Sequence, residues 1–268
     1  MKNRSMLCKV PSLLMLVGMT LLLLTGCSGS KEDSRNESYE DMKTAFNQSG
    51  LLSANIGIFS KTEKEGSISY GECGSGVIFR KDGGTYYALT AAHVVSTENA
   101  QLLVFTANTE MKSENIPGMD FNVLASEVYD SMYPAEIEHI STRGDMAVIR
   151  FSSEENLAVM PIAGNDPKTG DRIMCVGNPQ NEWFAVSYGK VTSGIETFGE
   201  LQGLPSKAMK HSAYMHVGSS GGAAINEKME LVGITPGGSY SLDGKTFNYG
   251  VLIPVSEIRQ CLNDWSGE

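Results

Sequence analysis

The apolar residues of this 268-residue chain come in short runs cut off by turn signals, and that spacing favours strands over helices. Ser53 to Phe59, Gly76 to Arg80, Tyr86 to Leu89 and Gln101 to Thr106 carry β-branched or aromatic residues, with Lys81-Asp82-Gly83-Gly84 marking a turn among them. Arg172 to Val176, Trp183 to Val191, Ala223 to Asn226, Leu231 to Thr235 and Phe247 to Val255 repeat the pattern in the second half. No long window keeps a helical period except Val255 to Leu262, where apolar residues stand three and four apart. The expectation is an all-β fold closed by a short C-terminal helix.

Within that frame, Gly218-Ser219-Ser220-Gly221-Gly222 is a serine in a tight glycine turn, a setting that presents a hydroxyl beside backbone N–H donors. A serine hydroxyl is a poor nucleophile at neutral pH and needs a base, and the base needs a group that fixes its tautomer. Thr90-Ala91-Ala92-His93 ends one apolar run and Gly144-Asp145-Met146-Ala147-Val148-Ile149 opens another. His93 then serves as base, Asp145 as its partner and Ser220 as nucleophile. Each alone has a plainer reading: a packed histidine, a turn aspartate, a turn serine.

The histidine, aspartate, serine order resembles that of trypsin-like serine proteases, and within them the bacterial HtrA/Deg protease domains. Gly74-Ser75-Gly76-Val77-Ile78-Phe79, Val176-Gly177-Asn178-Pro179, Val191-Thr192-Ser193-Gly194-Ile195 and Tyr249-Gly250-Val251-Leu252-Ile253-Pro254-Val255 resemble further segments of that group. Similarity runs from about residue 53 to 264. Two departures are visible: Ala223 stands where the family usually has proline, and Ser219 where it often has asparagine or aspartate. No stretch after the protease segment has room for a PDZ module, since the sequence stops at Glu268.

The resemblance implies two packed six-stranded antiparallel β-barrels, the first over about 51–155 and the second over about 160–268. It further implies an oxyanion hole from the backbone N–H groups of Gly218 and Ser220, and substrate contacts at Tyr214, His216, Thr235 and Gly237. Tyr214 occupies the offset at which trypsin carries its aspartate, so a basic substrate side chain would lack a counter-charge. Small or medium apolar residues before the scissile bond are expected. A glutamate pocket lined by His211 and His216 is the alternative, and simple packing roles for both histidines a third. Gly237 and Gly238 either pair with a substrate strand or form a hairpin turn. Three functions stay open: an endopeptidase acting on misfolded or regulatory proteins, a catalytically silent relative that binds unfolded segments, and a lipoprotein adaptor.

Lys2, Arg4 and Lys9 precede an uncharged stretch, Val10 to Thr25, that ends in Leu24-Thr25-Gly26-Cys27. A basic start before an apolar segment of this length reads as a secretory signal over 1–26, the alternative being a membrane anchor. The last four residues resemble a bacterial lipobox, which implies lipid on Cys27 and an extracytoplasmic, membrane-attached protein. Residues 27–50 read as a polar tether with a short helix near Tyr39 to Phe46, and 51–268 as the protease domain. Removing 1–26 takes away three basic and no acidic residues, so the formal charge moves from −10 to −13. Such a surface repels nucleic acid and anionic headgroups, so no nucleic-acid partner is expected and attachment falls to the acyl chains. Related Deg proteins are often trimers, but the polar tether offers no apolar contact for one, and a monomer is the expectation.

No cofactor and no metal are expected: no cysteine–histidine spacing suits zinc and no glycine loop is followed by Lys-Ser/Thr. With Cys8 in the signal and Cys27 lipidated, Cys73, Cys175 and Cys261 remain. They allow one disulfide and one thiol, or three buried thiols, with Cys175–Cys261 the more local pairing.

Overall fold

The computed structural model describes residues 38–71, 74–109, 128–129, 131–141, 144–197 and 207–266. The signal segment, Cys27, the first part of the tether and Cys73 lie outside the described residues. The first half contributes β1 (Asn55–Lys64), β2 (Ser67–Tyr70), β3 (Gly74–Asp82), β4 (Thr85–Thr90), β5 (Gln101–Thr106), β6 (Tyr133–Ile140) and β7 (Ala147–Ser152). The second contributes β8 (Arg172–Gly177), β9 (Ala185–Lys190), β10 (Glu196–Thr197), β11 (Lys207–His211), β12 (Gly222–Ile225), β13 (Leu231–Tyr240) and β14 (Phe247–Pro254). Helices α1 (Glu40–Ser49) and α2 (Val255–Ser266) stand at either end.

Strands β1, β3, β4, β7, β6 and β5 pair in that order, and β5 returns to β1 with Ile56 opposite Thr106, so the first sheet closes into a six-stranded barrel. Strand β2 is an appendage on the far half of β1, from Lys61 opposite Tyr70. In the second sheet the order is β11, β14, β13, β12, β8, β9, with two-residue β10 outside β11. Its ends meet where Val191 bridges His211, with Thr192 N–H donating to the Lys210 carbonyl at 2.7 Å and Ser212 N–H to the Lys190 carbonyl at 2.9 Å. Both barrels are therefore antiparallel and six-stranded, as expected, and closure leaves their strands few free edges.

Alternation on these strands sends Ile56, Ile78, Ala88, Val104, Ile149 and Phe151 into the first barrel, and Ile173, Val232 and Leu252 into the second. The opposite faces build a third apolar body along the seam, joining Val77, Leu89 and Val148 of the first barrel to Val176, Ala223 and Ile234 of the second. The two halves cannot slide freely without exposing that surface.

Helix α1 belongs to this packing, so the ordered body begins ahead of the residue-51 boundary read from composition. Met42 and Phe46, four residues apart on one helix face, are buried in the seam cluster. Gly50 ends the helix in the left-handed region at φ 73°. Arg172 of β8 reaches Asp41, Glu227 and the Ser38 carbonyl, and Tyr39 packs on Tyr188 with centroids 5.5 Å apart. At the other end, α2 buries Val255, Ile258 and Cys261, while Trp265 packs against Phe79 and Tyr87 of the first barrel.

One expectation is corrected. Cys175 and Cys261 are both free and buried, Cys175 inside the second barrel and Cys261 in the seam cluster. Nearness in the fold did not bring the two thiols together, because they face different apolar bodies. Burial pushes Cys175 up to about 12 and Cys261 to about 11, which keeps both as inert thiols.

Truncating Phe46 to alanine is expected to cost about 3–5 kcal/mol of stability, by leaving a cavity in the seam. Denaturant titration reads this as a lower midpoint at unchanged slope.

Candidate active site

His93 sits in a short 3-10 turn, Ala92–Val95, directly after β4, and Asp145 lies in the turn that enters β7. Because β4 and β7 are paired, with Thr90 opposite Ala147, the two turns leave the first barrel side by side. Asp145 takes both available donors of His93: the backbone N–H binds Oδ1 at 2.9 Å and the ring Nδ1 binds Oδ2 at 2.6 Å. The carboxylate is 7% exposed, while the imidazole reaches outward. A proton held on Nδ1 by the carboxylate leaves Nε2 as the ring's accepting atom.

Ser220 enters from the second barrel on the turn before β12. Its hydroxyl donates to the Pro236 carbonyl at 2.9 Å; among the described residues it makes no hydrogen bond to His93. The structure thus unites two of the three expected side chains, and the third faces β13.

The backbone of this turn is pinned one carbonyl at a time. Val217 C=O accepts from Gln180 N–H at 2.9 Å, Gly218 C=O from the Ser75 hydroxyl at 2.7 Å, and Ser220 C=O from Ser75 N–H at 2.8 Å. Ser219 C=O accepts from Gly222 N–H at 3.0 Å. Peptide bonds here are all trans, so each N–H points opposite to the preceding carbonyl. Ser219 N–H donates to His216 C=O and Gly221 N–H to Thr235 C=O. The N–H groups of Gly218 and Ser220 have no partner among the described residues, and these are the two donors expected for an oxyanion.

Glycine is required twice in this turn. Gly218 has φ +97°, a region side chains rarely enter. At Gly221, φ is +85° and a Cβ would stand 2.2 Å from the Ser75 carbonyl oxygen.

The turn between β8 and β9 forms the neighbouring wall, and it is strained: Gln180 and Phe184 have φ of +49° and +55° without being glycine. Asn178 holds it by accepting from Phe184 N–H at 2.9 Å through Oδ1. Between this wall and the Ser220 turn lies a pocket of about 290 Å³, where Val176, Val186 and Met215 meet Gln180, Glu182 and Ser187. Tyr214 and Thr235 also border it. Thr235 is 1% exposed, and its hydroxyl is occupied by Ser219 and Gly222 carbonyls.

His216 is outside this pocket lining; its Nε2 faces Gln180 Nε2 at 3.1 Å and its ring packs edge-on to Tyr240. Gly237 and Gly238 lie in β13 opposite Val251 and Gly250, so the hairpin turn comes later, at residues 241–246, and the space over Gly237 is open. His211 is fully buried against Gly250, with both ring nitrogens lacking a hydrogen bond of ordinary geometry. It is a packing residue of the second barrel. Ser75 and Asn178 stand in the Gly74–Phe79 and Val176–Pro179 motifs without an expected role, and a serine between two glycines is the one signal the sequence carries for the first. Among the described residues no group of His, Cys, Asp and Glu is arranged to hold a metal.

A family model described as trypsin-like peptidase domain matches residues 74–234. A serine protease HtrA-like protein of Staphylococcus aureus strain MSSA476 is 25% identical, over 95% of this chain and 33% of that protein. Its counterpart in strain USA300 is 27% identical, over 82% of this chain and 28% of its own length. The chain thus spans about a third of the curated relatives it matches. Among solved structures, the serine endoprotease from Yersinia pestis superposes with a TM-score of 0.59 at 23% identity, covering 85% of this chain and 66% of that one. That likeness carries the double-barrel fold.

Burial holds His211 near a pKa of about 4, below its usual 6.5. Between those values the unfolded chain binds a proton that the folded chain refuses, so stability is fully present above about pH 6.5, declines as pH falls and levels off below about 4. Denaturant midpoints from about pH 7.5 to 4.5 are expected to fall in this way. Replacing His211 by asparagine should remove that share of the slope.

Proposed function

This chain belongs to the trypsin-like peptidase domain family, and we propose that it is a lipid-anchored, extracytoplasmic serine endopeptidase working through His93, Asp145 and Ser220. The observation that carries the reading is the doubly bonded His93–Asp145 pair, together with a turn that packs on Thr90 and Ala91 and leaves the Gly218 and Ser220 N–H groups without a partner among the described residues.

In the proposed cycle, rotation of Ser220 about χ1 releases its hydroxyl from Pro236 and turns it towards His93 Nε2. The oxygen attacks the peptide carbonyl carbon while its proton passes to Nε2. The carbonyl oxygen takes the displaced electron pair and settles on the N–H groups of Gly218 and Ser220. Asp145 stays ionised, holding the ring and stabilising the imidazolium. The C–N bond then breaks as the imidazolium proton goes to the leaving amine. Water, with His93 again as base, hydrolyses the acyl ester and restores Ser220.

The pocket beside the turn favours small or medium apolar side chains before the scissile bond. Its walls mix Val176, Ala185, Val186 and Met215 with Gln180, Ser187 and Ser219, and Glu182 would repel a glutamate. The alternative glutamate reading loses support because His211 is buried and uncharged near neutral pH. Gly237, open to solvent on one side, offers backbone to an extended substrate. Substrates on this reading are misfolded or regulatory proteins outside the cytoplasm. Support for the anchor comes from the basic start, the apolar run and Leu24-Thr25-Gly26-Cys27. A silent peptide-binding relative would have no use for the aligned histidine–aspartate pair.

A fluorophosphonate probe is expected to label the wild-type protein at Ser220, to leave Ser220→Ala unlabelled and to label His93→Ala only weakly. Asp145→Asn should lower kcat about 10,000-fold with little change in fold. Labelling that persists in Ser220→Ala would sink the assignment. Cys27→Ala is expected to move the protein from the membrane fraction to the soluble one, read by fractionation of expressing cells.

A further inference from the structure

Ser75, in β3 of the first barrel, is completely buried, yet its hydroxyl sits among polar atoms of the second. A serine hydroxyl has one proton and two lone pairs. Here the backbone N–H of Asn178 donates to the oxygen at 3.0 Å and the Asn178 side-chain Nδ2 donates at 3.1 Å. Both lone pairs are engaged, so the proton is directed to the remaining neighbour, the Gly218 carbonyl at 2.7 Å. The main chain of Ser75 is held as firmly: its N–H donates to Ser220 C=O at 2.8 Å and its carbonyl accepts from Thr90 Oγ1 at 2.7 Å.

Gly218 needs such a restraint. It has no side chain, and at φ +97° its flanking peptides rotate at low cost unless their carbonyls are tied down. Its carbonyl lies in a buried stretch, where an unpaired acceptor is costly and would turn towards any other donor. That carbonyl shares its peptide with the Ser219 N–H, and this peptide joins the one bearing the Gly218 N–H to the one bearing the Ser220 N–H, so turning it would carry the two donors out of line.

We infer that Ser75 is a positioning residue for the oxyanion site: its hydroxyl, oriented by Asn178, holds the Gly218–Ser219 peptide, the link between the two donor-bearing peptides, so that the N–H groups of Gly218 and Ser220 stay aligned on the reacting carbonyl. The inference rests on the serine-protease reading, and it places control of the second barrel's catalytic turn in the first barrel. Asn178 takes part only by filling the two lone pairs.

The test is Ser75→Ala in the full chain, with Tyr86→Phe as control. Tyr86 also spends a buried hydroxyl on the backbone, at Glu155 and Leu157, inside the first barrel and away from the turn. Ser75→Ala is expected to lower kcat on a peptide amide about 10- to 100-fold with KM held within about twofold. Affinity for a peptide boronate, which mimics the tetrahedral species, should fall by the same factor. The amide resonance of Gly218 in glycine-labelled protein should shift. Tyr86→Phe should lose thermal stability with kcat, KM and that resonance unmoved.

If Ser75→Ala does not fold, Ser75→Cys keeps the volume with a weaker donor, and a severalfold loss in kcat is expected. A Ser75→Ala protein that loses stability alone, with kcat and the Gly218 resonance as in wild type, overturns the inference, as does wild-type kcat in Ser75→Cys. Wild-type protein without any hydrolysis, but with a Gly218 resonance that moves on Ser75→Ala, refutes the protease reading and leaves the clamp standing.

Discussion

Each carbonyl from Val217 to Ser220 has a donor, and two of those donors, the hydroxyl and the N–H of Ser75, come from the opposite barrel. A trans peptide whose oxygen is held must send its N–H the other way. The Gly218 N–H lies opposite the Val217 carbonyl held by Gln180, and the Ser220 N–H opposite the Ser219 carbonyl held by Gly222, and neither has a partner among the described residues. Preorganisation of this kind matters because a donor that must reorient during the reaction stabilises the developing charge less. The seam between the barrels, beyond filling space, holds the peptides that join and follow those two donors.

Apolar burial holds the seam together, but it is non-directional. The cluster joining Val77 and Leu89 to Val176 and Ile234 brings the halves into register to within the slack of side-chain packing. Directional bonds then take up that slack: Ser75 binds Asn178 and the Gly218 and Ser220 carbonyls across the seam. The terminal helices press on the same cluster. Helix α1 inserts Met42 and Phe46, and α2 inserts Ile258 and Cys261. Segments that look peripheral in sequence therefore bear on the surface that aligns the site. Arg172 fastens α1 from outside through Asp41, a contact that lowers the pKa of that carboxyl.

Strands rich in β-branched residues were legible because their alternation is strong; Gln101–Thr106 agrees residue for residue, and Leu231 and Phe247 begin their strands as expected. Besides two-residue β10, strands β2, β6 and β11 were missed. Their sequences, SISY, YPAEIEHI and KAMKH, are polar or mixed, and a neighbouring strand decides their conformation. Docking of α1 escaped for a similar reason: a segment carrying many charges looks like solvated tether, and only two side chains on one face find the core. The cysteines show the opposite error, since belonging to one half of the chain said nothing about which apolar body each thiol faces. His211 was similarly indistinguishable from a pocket residue until its burial against Gly250 was seen.

By itself the sequence determined the strand-rich class, the order of histidine, aspartate and serine, and the glycines at 218 and 221, because these depend on local periodicity, motif spacing and backbone stereochemistry. Tertiary structure alone decided that Asp145 grips His93 twice, that the Ser220 hydroxyl rests on Pro236, and that a serine 143 residues earlier in the chain orients Gly218. Such contacts depend on distances between remote segments. Those distances exist only once two closed sheets have packed against each other and excluded water from the space between them.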